Sequence, residues 1–158
     1  MNVLLTSAGR RVSLLNAFRR AVASRGGGRV HATDTDPAAP TLHVADNAYL
    51  APSVRDVGYI PFLSEIVRKE KIGLVVPLID PELPILADGK NVLRDAGAIV
   101  MVSGPDFIRV AEDKLATAEV FRSLGLEVPL TMMLSSTQVR AIEKSLDYPC
   151  ILKPRCGS

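Results

Sequence analysis

The chain has 158 residues, 47% of them hydrophobic and only 4% aromatic, with no Trp and a formal net charge of +2 at pH 7. That length fits one ordinary domain, or one domain plus a piece of another, and the supply of Ala, Val, Leu and Ile suits packed helix and sheet layers rather than an aromatic nucleic-acid surface. So small a charge argues against DNA, RNA or an acidic membrane as partner. Cys150 and Cys156 make no disulfide framework, and no metal-ligand spacing surrounds them. No apolar run suits a signal segment or a membrane span, so the cytoplasm is the expected location.

Asn2 to Leu5 is a short apolar run ended by Thr6-Ser7-Ala8-Gly9, after which Leu14, Leu15, Phe18, Ala21 and Val22 recur at helical spacing. This predicts strand, tight turn, helix. Gly26-Gly27-Gly28 stops the helix, and Val30 to Thr33 gives a second strand ending in Asp34-Thr35-Asp36-Pro37. A proline-containing connection with a short extended piece at Asn47 to Leu50 leads to a helix whose apolar face carries Ile60, Leu63, Ile66 and Val67. A third strand, Leu74 to Pro77, follows. Asp80-Pro81-Glu82 has the composition of a helix start, with Asp as cap, Pro in the first turn and Glu at the positive end of the dipole. Gly97 closes that helix, Ala98 to Val102 is a fourth strand, and Ser103 to Asp106 opens a short helix.

Strands alternating with helices in this way predict an α/β fold, a Rossmann-like parallel sheet with helices on both faces. Ligand sites on such sheets lie at the carboxyl ends of the strands. The candidates there are Ser7, Arg10, Arg11, Asp34, Asp36, Asp80 and Glu82. Arg10 and Arg11 are either a solvated helix start or a grip on an anion, where backbone N–H groups also point outward. Asp34 and Asp36 either shape a turn before Pro37 or face a ligand beside Gly9. Capping and the dipole already account for Asp80 and Glu82, so a substrate role is an addition.

From Asp113 the texture changes. Asp113 is an N-cap, Leu115, Ala118, Phe121 and Leu124 line one face, and Gly125 stops the helix. Leu130 to Leu134 reads as a strand, and Ser135 with Gln138 forms a capping box for a helix carrying Val139, Ile142 and Leu146. Cys150 to Leu152 reads as a short buried strand, with Cys150 a buried small hydrophobe, delivering Lys153 and then Gly157-Ser158. A lysine supplies a point charge and glycine lets peptide N–H groups approach an anion, which is phosphate-binding chemistry. The domain boundary falls near residues 111–114, giving units 1–112 and 113–158.

Six stretches in one order carry a family resemblance: NVLLTSAGRR, DTDP, ADNAYLAP, VVPLIDPEL, DKLATAEVFRSLGLEVP and YPCILKPRCGS. Together they resemble the ATP-grasp superfamily, and within it proteins related to the large subunit of carbamoyl phosphate synthase. The resemblance implies a pre-ATP-grasp domain up to about residue 112, followed by the beginning of an ATP-grasp α+β domain. It implies ATP-dependent joining of small-molecule carboxylate and amine substrates through an acylphosphate, with ATP and Mg²⁺ as cofactors. By position, Lys114 resembles a lysine that reaches the ATP phosphates, Lys153 the lysine before the glycine-rich loop, and Arg155, Gly157 and Ser158 the start of that loop. The family's Mg²⁺ ligands have no counterpart up to Ser158, so the sequence reads as the front part of a longer enzyme. The isolated piece is then expected to bind Mg-ATP weakly or not at all, and to expose apolar faces over residues 113–158. A homo-oligomer is left open.

The competing reading is a Rossmann-like module that binds a small ligand or partner without chemistry. A nicotinamide-dependent oxidoreductase fails because the first turn has one glycine, Gly9, where G-x-G-x-x-G is needed, and a P-loop enzyme fails because no G-x-x-x-x-G-K-[ST] is present.

Overall fold

The computed structural model describes residues 1–134 and 149–157. The expected helix bearing Val139, Ile142 and Leu146, and Ser158 itself, lie outside the described residues. By its contacts the chain divides into two compact units, Met1–Pro105 and Asp106–Ser158.

The first unit runs β1 (Asn2–Thr6), α1 (Val12–Ser24), β2 (Val30–Asp34), β3 (Asn47–Leu50), α2 (Tyr59–Glu70), β4 (Ile72–Pro77), α3 (Leu83–Asp88), α4 (Lys90–Ala96) and β5 (Ile99–Val100). The strands form one five-stranded sheet in the order β3-β2-β1-β4-β5, with every ladder parallel. This is the α/β architecture that the alternation of strands and helices predicts. Successive side chains of a strand point to opposite faces, and β1 shows the result. Val3 and Leu5 pack with Leu15, Val22, Val30 and Ala32 on the α1 side. Leu4 packs on the other side with Tyr59, Leu63, Ile66, Leu86 and Leu93, from α2, α3 and α4. Each fully buried Leu of these two layers contributes about 1.5–3 kcal/mol relative to an exposed one.

Two details differ from the sequence expectation. The helix expected from Asp80 to Gly97 is a 3-10 turn over Asp80–Glu82 followed by α3 and α4. Ile79 occupies the N-cap, and Asp80 makes no side-chain cap bond. The break between α3 and α4 falls at Gly89, where an added Cβ would lie 2.6 Å from Ile60 Cδ1. Any side chain there would require Ile60 of α2 to shift. The ladder of the fourth expected strand is also shorter than Ala98 to Val102, covering Ile99–Val100 alone.

The second unit is built on α5 (Pro105–Glu112) and α6 (Lys114–Ser123). Asp113 caps α6 as its residue type predicts, its Oδ1 accepting from Leu115 N at 3.0 Å and Ala116 N at 3.2 Å. Thr117 Oγ1 donates to Val110 O at 2.8 Å, tying the two helices together. The strands expected at Leu130 to Leu134 and Cys150 to Leu152 are not formed among the described residues. Leu130 is 78% exposed, Ile151 and Leu152 are each 80% exposed, and Cys150 is exposed rather than buried. An extended segment becomes a strand only when a neighbour takes up its N–H and C=O groups, and here the one antiparallel bridge joins Asp113 to Cys156. Among the described residues no helix is long and apolar enough to cross a membrane.

Candidate functional site

In the first unit the sheet order reverses at β1, with β2 on one side and β4 on the other. The carboxyl ends of the strands flanking such a switch point diverge and leave a crevice. An open cleft of about 750 Å³ lies there. Ser7, Gly9, Arg10 and Arg11 reach it from the turn after β1, Asp34 and Asp36 from the end of β2, Ser53 and Val54 from the segment after β3, and Ile79 from the end of β4.

The turn after β1 is held by unusual backbone and by neighbouring polar groups. Ser7 has φ 48° and Gly9 φ 52°, both in the left-handed region. That conformation costs a non-glycine residue about 1–2 kcal/mol, so Ser7 is strained at the cleft. Gly9 N donates to Asp34 Oδ2 at 2.6 Å, and Thr41 Oγ1 donates to Gly9 O at 2.8 Å. Asp34 Oδ1 accepts from Asp36 N at 3.0 Å, and Asp36 Oδ1 accepts from Ala38 N at 2.9 Å. Asp34 thus ties the first turn to the second, which is the turn-shaping role the sequence allowed for it. Arg10 and Arg11 are exposed on the rim, and no side chain caps α1 at Arg11. Two guanidinium groups beside uncapped first-turn amides make this rim attractive to an anion.

Asp80 and Glu82 do not join this group. Asp80 is exposed and does not line the cleft. Glu82, expected as a dipole partner with a substrate role as an addition, lies in the first turn as expected but is fully buried. The 3-10 turn directs its side chain inward, where Tyr59 OH donates to Oε1. Thr6, Ser7 and the Leu78 amide also face the carboxyl, but Oε2 lacks a partner in hydrogen-bond geometry among the described residues. Burial outweighs these donors and pushes the Glu82 carboxyl above the ordinary carboxylate range. Burial, then the Glu82 charge, pushes the Tyr59 phenol up as well. No sequence signal distinguishes this inward Glu from a dipole partner. Ser53 and Val54 were missed for a simpler reason, since the strand-end rule needs a strand and β3 looks like a mere extended piece.

In the second unit, the start of α6 and the segment 155–157 lie side by side. Lys114 N donates to Arg155 O at 3.1 Å, and Lys114 Nζ donates to Gly157 O. Arg155 donates to Asp113 Oδ2 through Nε at 2.8 Å and through a terminal nitrogen at 2.5 Å. That guanidinium, with the two cap amides, pulls the Asp113 carboxyl down to about 2. Gly157 has φ 77°, a left-handed backbone that suits glycine. Lys153 is exposed on the segment leading into this turn. The group brought to the glycine turn here is the Lys114 ammonium, a point charge of the kind that suits a phosphate chain. Among the described residues no group of three or more His, Cys, Asp or Glu side chains gathers, and magnesium bound beside a nucleotide takes one or two carboxylates together with the phosphates.

Comparison with known proteins agrees with the architecture. Residues 3–101 match the family described as PylC-like, N-terminal domain. The carbamoyl phosphate synthase large chain, N-terminal section, of Aquifex aeolicus (strain VF5) is 28% identical over 126 residues, which make up 76% of this chain and 21% of that protein. The chain therefore spans about a fifth of the length of that curated relative. The structure of N5-carboxyaminoimidazole synthetase from Staphylococcus aureus complexed with ADP is similar with a TM-score of 0.65 and 21% identity, over 99% of this chain and 39% of that one. L-amino acid ligase from Bacillus licheniformis is similar with a TM-score of 0.68 and 19% identity, over 99% of this chain and 37% of that one. At such identities the two structures speak to the fold. The resemblance read from the sequence, to the N-terminal part of an ATP-grasp protein related to carbamoyl phosphate synthase, stands. With residues 3–101 matched, well over half its length, the chain belongs to the PylC-like N-terminal domain family.

Proposed function

We propose that this chain is the N-terminal portion of an ATP-dependent ligase that joins a small carboxylate to an amine or similar nucleophile through an acylphosphate. The observation that carries the reading is the meeting of two stretches distant in sequence, Lys114 at the start of α6 and Arg155 to Gly157. A lysine and a glycine turn brought together in this way offer an ammonium charge and close backbone approach to the same phosphate chain. Bound ATP would supply the phosphoryl group that activates the carboxylate. Lys114 and Lys153 would offset the negative charge that gathers on the phosphate oxygens as the bond to the leaving group lengthens, and Gly157 would let the backbone approach them. Magnesium, when bound, would neutralise charge on the phosphate oxygens.

The cleft at the ends of β1 and β2 suits the small substrate. Its acid group would sit against Arg10 and Arg11 at the start of α1, and Asp36 would face a positively charged or hydroxylated part. Ser7 and Asp34 would hold the floor in shape. Glu82, being buried, would act only through the groups it touches.

The test is phosphate release by the complete protein, screened against a panel of carboxylates and amines, with Lys153→Ala alongside. The variant is expected to lose about 10²-fold in ATP turnover while its unfolding free energy stays within about 0.5 kcal/mol of wild type, since Lys153 is exposed. Wild-type turnover in Lys153→Ala would refute its role.

A further inference from the structure

Arg155 is expected at the start of a phosphate-binding loop, yet its guanidinium is already engaged. Asp113 and Arg155, 42 residues apart, are joined by two donors on one carboxylate oxygen. Asp113 divides its carboxylate, Oδ1 serving the first turn of α6 and Oδ2 serving Arg155. Beside this pair run the backbone bond from Lys114 N to Arg155 O and the antiparallel bridge between Asp113 and Cys156. Packing does little to hold the same segment, because Ile151 and Leu152 are each 80% exposed. The polar contacts to Asp113 and Lys114 are therefore its principal tether among the described residues.

We propose that Asp113 and Arg155 form a latch that sets the register of residues 155–157 on the start of α6, so that Arg155 is a positioning residue and not a phosphate ligand. A guanidinium binds an anion best through an edge that presents two N–H groups, and here the edge containing Nε is turned to Asp113. Its product is the placement of Lys114 Nζ against Gly157 O, which keeps the ammonium group at the glycine turn. The consequence for ATP rests on the function proposed above. The latch itself does not, and the two can be read apart.

Asp113→Asn separates the two duties of that carboxylate, because Asn caps a helix as well as Asp does but lacks the charge that holds a guanidinium. Arg155→Lys keeps the charge and loses the fork. In the complete protein, amide hydrogen exchange would be followed in peptides covering 112–116 and 153–157, with a β1 peptide as control, and Mg-ATP affinity would be measured by titration calorimetry. Exchange in both peptides is expected to rise about three- to tenfold in each variant and no further in the double variant, with the β1 peptide unchanged. The Mg-ATP dissociation constant should rise by a similar factor in all three. Unchanged exchange in Asp113→Asn overturns the latch. So does weaker Mg-ATP binding in Arg155→Lys with unchanged exchange, which would make Arg155 a phosphate ligand. If wild type binds no Mg-ATP, the nucleotide reading fails while the exchange data still decide the latch.

Discussion

The two units use the same kinds of residue to different effect. In Met1–Pro105 the apolar side chains of β1, β2 and β4 are sealed between α1 on one face and α2 to α4 on the other. In Asp106–Ser158 the described apolar residues are largely in water, with Phe107 64%, Leu124 68% and Leu130 78% exposed and only Ile108 and Ala118 buried. Order in the first unit comes from area removed from solvent. In the second it comes from a handful of polar contacts centred on Asp113. Stability should therefore respond to apolar truncation in one unit and to polar substitution in the other.

The strongest contrast should come from two leucines. Leu63 in α2 is fully buried, and Leu63→Ala should cost about 2–5 kcal/mol, through lost transfer energy and the cavity left behind. Leu130→Ala should change stability by no more than about 0.5 kcal/mol. Urea unfolding checks both, and equal shifts would erase the distinction between the units.

A smaller effect is expected inside the first unit, at the buried pair of Tyr59 and Glu82. Tyr59→Phe removes the donor to Oε1 when Oε2 is already without a partner, and should cost about 1–3 kcal/mol. Glu82→Gln should show a pH signature. Burial raises the carboxyl above its ordinary 4.5, so in the folded chain it keeps its proton where the unfolded chain has lost it. The stability tied to that proton is present below 4.5 and is lost as pH rises through the folded value. Gln carries no such loss, so the stability of wild type relative to Glu82→Gln should fall as pH rises, read from denaturation midpoints at two pH values. A constant gap would mean that Glu82 is ionised in the fold.

What could be read from the sequence follows the same division. Period-2 and period-3.6 patterns place β1, α1, β2 and α2 because burial in a closed core enforces those periods. The strand-end rule then finds Ser7, Arg10, Arg11, Asp34 and Asp36, which the fold brings to one cleft. The same patterns mislead at Leu130 to Leu134 and Cys150 to Leu152, since an apolar run announces a strand only if a neighbour pairs with it. Asp80 to Glu82 misleads for a local reason: cap composition is equally compatible with a 3-10 turn, and the tighter winding turns Glu82 toward Tyr59 instead of solvent. Nor does any pattern show that Arg155 reaches Asp113, because a contact made across 42 residues leaves no period behind.

The smallest effect expected lies in the first unit's own polar defect. His31 in β2 is fully buried, stacked on Tyr49 with ring centroids 6.4 Å apart, and neither ring nitrogen has a hydrogen-bond partner among the described residues. Burial lowers its pKa from the ordinary 6.5, against the opposing pull of Glu70 and Asp46, with Arg29 adding to the lowering. Below 6.5 the unfolded chain takes up a proton that the folded chain refuses, so stability is full above that pH and declines as pH falls toward the folded value. His31→Leu fills a similar space without the titratable ring, and should remove the decline in stability toward acid between pH 7 and 5, leaving the opposite slope that Glu82 gives, as measured by urea midpoints. Glu70 does not mimic this signal. Its carboxylate accepts from Tyr49 OH at 2.6 Å and is held below its ordinary 4.5, so its own loss of stability begins at lower pH. An acid decline that survives in His31→Leu would mean that another group takes up a proton in that window, and that the sealed layer between β2 and α2 tolerates its histidine without cost.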